Sequence, residues 1–159
     1  MKNLVIYYSL NGNTKKYAME IAKEMNADLF EIKTQKSLPK NKSGQMFIGG
    51  MQASLGLKPA LSNKLDGLDQ YNKIIIGTPI WAGKCAPAIA SFLAKYNIHN
   101  KVIGVFTTSG SGNNQRCITK FKTQFPNLKD TVSLLEFIKT NEEFDKEKLI
   151  QFVNRVRTI

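Results

Sequence analysis

Three short polar stretches carry the residue types from which a ligand site could be built. Ser9-Leu10-Asn11-Gly12-Asn13-Thr14 gathers four small hydroxyl or amide side chains around a glycine. Thr78-Pro79-Ile80-Trp81-Ala82-Gly83 carries the only tryptophan of the chain. Thr107-Thr108-Ser109-Gly110-Ser111-Gly112 is all hydroxyl and glycine. None of these residues is an acid–base catalyst. What such stretches can do is hold an anion and flank a planar ring.

The first stretch lies between an apolar run, residues 4–8, and a helical pattern that begins at Thr14. Amides at a helix start have no partner within the helix, and the macrodipole there favours negative charge. Gly12 lets the chain turn tightly around a phosphate. The same letters also suit an ordinary polar turn ended by a Thr or Asn cap, and from this loop alone the two readings stand level. Other phosphate chemistries fall away. A Walker loop needs Lys after its last glycine, and Gly12 is followed by Asn13; no G-x-G-x-x-G is present. A receiver domain needs acids where this chain has Tyr7, Tyr8 and Ser9, and a cysteine phosphatase needs a Cys in a loop that has none. Trp81 can stack on a planar ring, with Gly83 letting backbone come close; taken singly, a Trp in such a place more often plugs a sheet edge. The hydroxyl-rich third stretch could line a ring's polar edge through its backbone groups; alone it is a turn.

The elements that must position these stretches alternate. Residues 4–8, 27–32, 73–77, 102–106 and 131–138 read as strands, with 73–77 and 102–106 apolar enough to be buried on both faces. Between them, Ala18, Ile21, Ala22 and Met25 repeat at helical spacing, as do Ile89, Phe92, Leu93 and Tyr96 behind Pro87, Cys117 or Ile118 with Phe121 and Phe125, and Leu149, Val153 and Val156. Residues 45–57, interrupted by Gly49-Gly50 and Gly56, read as a broken helix. Five strands alternating with helices call for an α/β domain: a five-stranded parallel sheet with helices on both faces, a single domain over 1–159. Ligands of such sheets bind beyond the carboxyl ends of the strands, where strand order reverses. The three polar stretches follow the first, third and fourth strands.

Composition bounds the rest. At 159 residues, with 42% hydrophobic and 22% charged, the chain has the balance of a globular protein, and no apolar run nears the ~20 residues of a membrane span. No export signal is visible, so a cytoplasmic protein with two free thiols, Cys85 and Cys117, is expected. Cys117 falls on a core face as a small filler, and Cys85 reads as structural at a helix start. His99, the only histidine, lies in a helix-to-strand connection and reads as a turn residue. Metal ligation has no supporting spacing. The formal charge is +11, divided +5 over residues 1–80 and +6 over 81–159. Lysine supplies twenty of the 23 cations and no aromatic recognition motif accompanies them, so a solvated lysine surface is expected rather than a nucleic-acid footprint.

Taken together, the loops resemble flavodoxin. That family pairs a phosphate loop of the form S/T-x-T-G-x-T with a second loop whose aromatic ring lies against the isoalloxazine. Ser9, Gly12 and Thr14 match, and Asn11 stands where Thr is common. Ile76-Gly77-Thr78-Pro79-Ile80-Trp81-Ala82-Gly83, followed by Pro87 and Phe92-Leu93, is similar to one branch of flavodoxin-like proteins, as is Ile48-Gly49-Gly50 through Pro59. The resemblance implies a three-layer flavodoxin-like fold of the short-chain type, strand order 2-1-3-4-5, with non-covalent FMN. It gives Ser9, Leu10, Asn11, Gly12, Asn13 and Thr14 to the phosphate loop. Thr78, Pro79, Ile80, Trp81, Ala82 and Gly83 would flank the ring, with Thr108, Ser109, Gly110 and Gly112 on its pyrimidine side.

The implied function is low-potential electron transfer between redox partner proteins, by a monomer that binds neither nucleic acid nor membrane. The alternative is an FMN-dependent NAD(P)H oxidoreductase that reduces a quinone or similar small acceptor; no nicotinamide motif is visible for it. A flavin-free binding module would require Trp81 to be buried in the sheet edge. Familiar flavodoxins are acidic, whereas this chain is basic, with Lys84 just past the ring loop. Acidic partners are therefore expected. Positive potential that stabilised the reduced flavin anion by ~1 kcal/mol would raise the one-electron potential by roughly 43 mV, while salt would screen lysines far from it.

Overall fold

Apolar residues in this chain run in two rhythms, and each rhythm makes its own element. The computed structural model describes residues 2–112, 114–136 and 145–158. β1 (Lys2–Tyr7), β3 (Tyr71–Trp81) and β5 (Val102–Ser109) carry nearly unbroken buried runs, as strands covered on both faces must. β2 (Ala27–Glu31) and β6 (Asp130–Leu135) are less buried and take the edges. All five pair in parallel in the order β2-β1-β3-β5-β6, which is the expected 2-1-3-4-5 once parallel strands alone are numbered.

Several boundaries differ from the sequence reading, and β5 runs past Phe106 to Ser109, so the third polar stretch begins as strand. β3 runs past Gly77 to Trp81, because Thr78 and Pro79 stay paired with Thr107 and Thr108 of β5. A two-residue strand, β4 (Lys84–Cys85), then folds back antiparallel on it, through Ile80↔Cys85 and Trp81↔Lys84. The last expected strand, 131–138, is present as β6 to Leu135; positions 137 and 138 lie outside the described residues.

Alternate strand residues face opposite layers. Val5, Tyr7, Ile75, Ile103 and Phe106 meet α1 (Asn13–Met25) and α5 (Lys146–Arg157) on one side. Leu4, Ile6, Ile74, Ile76 and Val105 meet α3 (Pro87–Lys95) and α4 (Gln115–Gln124) on the other. Burying a side chain of this size contributes about 1.5–3 kcal/mol. The strand glycines leave room for rings: a Cβ on Gly77 would collide with Phe106, and one on Gly104 would lie 2.8 Å from Phe152 Cζ.

Residues 45–57 depart most from expectation. α2 (Lys42–Ser54) is one continuous helix through Gly49 and Gly50, not a broken one. Gly56, at φ +66°, ends it: the amide of Leu57 donates to Gln52 O (3.0 Å) and that of Gly56 to Ala53 O (3.2 Å). This is the paired closure of a Schellman motif, which a left-handed glycine allows at no steric cost.

Burial on this sheet also shifts phenols. Tyr7 is pushed up to about 12, first by burial, then by the charge of Glu31 and a hydrogen bond to it. Tyr8, Tyr17 and Tyr71 are raised as well, by burial first. An unfolded phenol titrates near 10, so the folded chain keeps its phenolic protons to higher pH. The stability tied to them is fully present below about pH 10 and is lost as pH rises through the folded values. The urea midpoint is therefore expected to hold up to about pH 10 and to fall between about 10 and 12, with a shallower fall in Tyr7→Phe; equal falls in parent and variant would discount Tyr7.

Candidate functional site

Strand pairing brings the three polar stretches to one edge. Tyr7 pairs with Gly77, and the amide of Tyr8 donates to Gly77 O at 3.2 Å. Thr78 and Pro79 pair with Thr107 and Thr108. The loops after β1, β3 and β5 thus leave from the carboxyl ends of three adjacent strands, and the order reverses between β1 and β3.

The first loop gathers backbone amides at the start of α1. Gly12 occupies the cap position of α1 at φ +87°, with open space where a side chain would lie. Ser9 Oγ accepts the amides of Gly12 (3.1 Å) and Lys15 (3.2 Å). The first intrahelical bond runs from Lys16 to Gly12 O (3.0 Å), so the amides of Asn13 and Thr14 belong to those a helix start cannot pair within itself. No acid lies in the first turn. Donors that converge without a carboxylate fit a phosphate. The Thr or Asn cap of an ordinary turn is not built, since the cap residue is glycine and the hydroxyl comes from Ser9. Asn11 is exposed, Asn13 half-buried, and Leu10 tucks against the apolar layer under α3.

Behind this loop, Thr14 Oγ1 and Thr108 Oγ1 share a hydrogen bond of 2.8 Å, both residues fully buried. This bond ties the first loop to the third. Ser109 Oγ accepts the amide of Gly112 (2.9 Å), and Ser133 Oγ donates to Gly112 O (3.2 Å). Gly110 and Gly112 are half-buried at the loop surface. Thr78 is likewise engaged within the protein: its Oγ1 accepts the amide of Ala86 (3.0 Å) at the start of α3 and donates to Pro79 O (2.9 Å). The hydroxyls of Thr14, Thr78 and Thr108 therefore hold the loops, while Ser9, Asn11, Gly12 and Asn13 form their outer surface.

The second loop is a hairpin, not an open loop. Ala82 (φ +49°) and Gly83 (φ +75°) form its two-residue turn, and positive φ at both positions is the type I′ geometry that matches strand twist. For Ala82 that conformation costs roughly 1–2 kcal/mol. Pro79 is buried and Ile80 half-buried against the core. Trp81 is half-buried: its ring meets Tyr8 edge-on, centroids 5.8 Å apart at 83°. A Cβ on Gly49 would lie 3.2 Å from Trp81 Cε3, so the α2 backbone closes over the back of the indole. Trp81 is thus not sunk in the sheet edge. A cavity of about 450 Å³ opens beside it, between Tyr8, Leu38, Pro59, Lys36 and Lys58, within the range of small-ligand sites.

Sequence reasoning missed Tyr8 and Gly49 as parts of this site. Tyr8 directly precedes Ser9 at the strand end, a position that could have flagged it. Gly49 reads in the sequence as an interruption of a helix. Lys84, expected beside the ring, instead directs Nζ to Ser54 O (3.0 Å) at the end of α2, where a cation suits the helix dipole.

Two outcomes test this geometry. Thr14→Val or Thr108→Val strands the partner hydroxyl in a buried place and should cost about 1–3 kcal/mol, whereas the double variant should cost clearly less than the two losses added; chemical denaturation reads both, and simple additivity would refute the coupling. Gly49→Leu should push the indole out, shifting the emission of this single-Trp chain to the red while far-UV circular dichroism is unchanged.

Comparison with known proteins bears on the family and the fold. A family model described as Flavodoxin matches residues 2–156. A Bacteroides uniformis protein described as a flavoprotein superposes with a TM-score of 0.78 at 25% identity, over 96% of this chain and 97% of that one. A Lactobacillus acidophilus flavoprotein solved in complex with FMN gives 0.69 at 25% identity, over 89% and 97%. Oxidised flavodoxin 2 of Bacillus cereus gives 0.62 at 20% identity, over 99% and 98%, which speaks to the fold alone. An uncharacterized protein of Methanocaldococcus jannaschii is 31% identical over 111 residues, 69% of this chain; the match spans only 55% of that protein's length. Among the described residues no helix is long and apolar enough to cross a membrane. With the amides of a helix start, a hairpin-borne indole and a hydroxyl-rich turn on one sheet edge, and the family pattern running over nearly its whole length, this chain belongs to the flavodoxin family.

Proposed function

We propose that the chain binds FMN at this edge and carries electrons between redox proteins. The observation that carries the reading is the convergence of the three loops, stapled by Thr14 and Thr108 and backed by the α2 backbone. FMN supplies the redox chemistry when bound, and the protein supplies binding, orientation and electrostatics. The amides around Gly12 and the positive end of α1 would hold the phosphate, and Ser9 Oγ, now the acceptor of two of those amides, would yield them to it. Trp81, Ala82 and Gly83 would flank the ring, and the 108–112 backbone its pyrimidine edge.

None of the three loops offers a carboxylate or an imidazole, so no residue there is set up to move a proton for a substrate. This favours the carrier over the NAD(P)H oxidoreductase. The partners we propose are proteins with acidic docking faces, met by a monomer in the cytoplasm. The support for acidic partners is the excess of lysine, since complementary potentials speed encounter and are weakened by salt.

The test is reconstitution of the full chain with FMN, followed by NADPH without a partner. A yellow protein that quenches Trp81 emission and stays oxidised supports the carrier. Trp81→Ala should weaken FMN binding about tenfold, the equivalent of ~1.4 kcal/mol of ring contact. Rapid bleaching by NADPH alone would replace the carrier with the oxidoreductase, and refusal of FMN would sink both.

A further inference from the structure

The sequence places Cys85 and Cys117 far apart, one as structural at a helix start and the other as a core filler. The fold brings them together. Cys85 ends β4, and Cys117 lies in the first turn of α4. Both are buried and free, and both belong to the same apolar cluster beside α3 and α4. Together they line a cavity of about 240 Å³ whose charged residues are all cations: Lys84, Arg116 and Lys120. A small polar reagent entering there meets sulfur in a positive field.

The two sulfurs are not equivalent. The neighbouring Cys117 thiol lowers Cys85 against the opposing effect of burial, with the charge of Lys120 assisting. The neighbouring Cys85, then burial, pushes Cys117 up. One sulfur is thus disposed to be the thiolate nucleophile, while its neighbour keeps its proton until it is needed.

We propose that Cys85 and Cys117 form a reversible dithiol switch that hydroperoxides oxidise to a disulfide. In the first step the Cys85 thiolate attacks the hydroperoxide. An S–O bond forms as the O–O bond breaks, and the leaving alkoxide takes a proton from solvent to become an alcohol (water, for hydrogen peroxide). In the second step the Cys117 sulfur attacks the Cys85 sulfenic acid. The S–S bond forms, the S–O bond breaks, and hydroxide leaves with the Cys117 proton as water. Two thiols lose two electrons and two protons, and one hydroperoxide is reduced to alcohol and water. Exchange with a dithiol reductant reverses the change. Because Cys85 pairs with Ile80 beside Trp81, the disulfide would bind the indole-bearing hairpin covalently to α4. The proposal does not depend on the flavin reading, since the thiol chemistry is the same with or without FMN.

The experiment treats the reduced full-length chain with one equivalent of hydrogen peroxide without oxygen, then counts thiols and maps peptides by mass spectrometry. Both thiols should disappear together, with the mass lower by two hydrogens, a Cys85–Cys117 cross-linked peptide, and full recovery in dithiothreitol. Cys117→Ser should halt at a Cys85 sulfenic acid that dimedone traps, whereas in Cys85→Ser the remaining thiol should react at least about tenfold more slowly. The parent chain alone decides the outcome. Thiols that survive peroxide, a Cys85 that proceeds to sulfinic acid beside an intact Cys117, or disulfides joining two chains would each overturn the proposal.

Discussion

A parallel strand can rejoin its neighbour only by crossing back over the sheet, so every parallel strand ends at the same edge. In this protein β3 hydrogen-bonds to β1 on one side and to β5 on the other, and the three loops that follow have no choice but to meet. The helices divide between the two faces, α1 and α5 on one and α3 and α4 on the other, and α1 must start where β1 stops, which aims its unpaired amides at the shared edge. The location of the site is a property of the sheet. Its chemistry belongs to the few residues that the loops happen to carry.

Much of this was written locally. Buried strand cores announce themselves by runs such as Ile74-Ile75-Ile76, and turn chemistry such as Asn11-Gly12-Asn13 marks the junctions. The strands and the three loops therefore followed from short windows, while strand order came only with the family resemblance. What did not follow were the features fixed by contacts distant in sequence. Gly49 reads as a helix breaker until Trp81 is seen packed against it, and then the missing side chain has a reason. The Thr14–Thr108 bond joins residues 94 positions apart, and nothing near either one betrays the other. β4 is two residues long and has no periodicity to detect. The Cys85–Cys117 contact is of the same kind.

The buried hydroxyls divide the site into two shells with separate tasks. Thr14, Thr78 and Thr108 spend their hydrogen bonds on neighbouring protein groups and fix the loop backbones. The outer shell is left mainly with backbone amides, exposed amide side chains and one indole, groups that bind without reacting. The ion pairs among the described residues, such as Lys2–Asp28 and Lys15–Glu31, are largely exposed and of a kind worth little to stability.

β3 is the longest strand, and its last two residues outrun both neighbours. A protruding central strand presents bare backbone on two sides, a template on which a second chain could add. β4 closes one of those sides with two residues and a tight turn. The hairpin that presents the indole therefore also covers backbone that β3 would otherwise leave bare, and the left-handed conformation at Ala82 is what so short a turn requires.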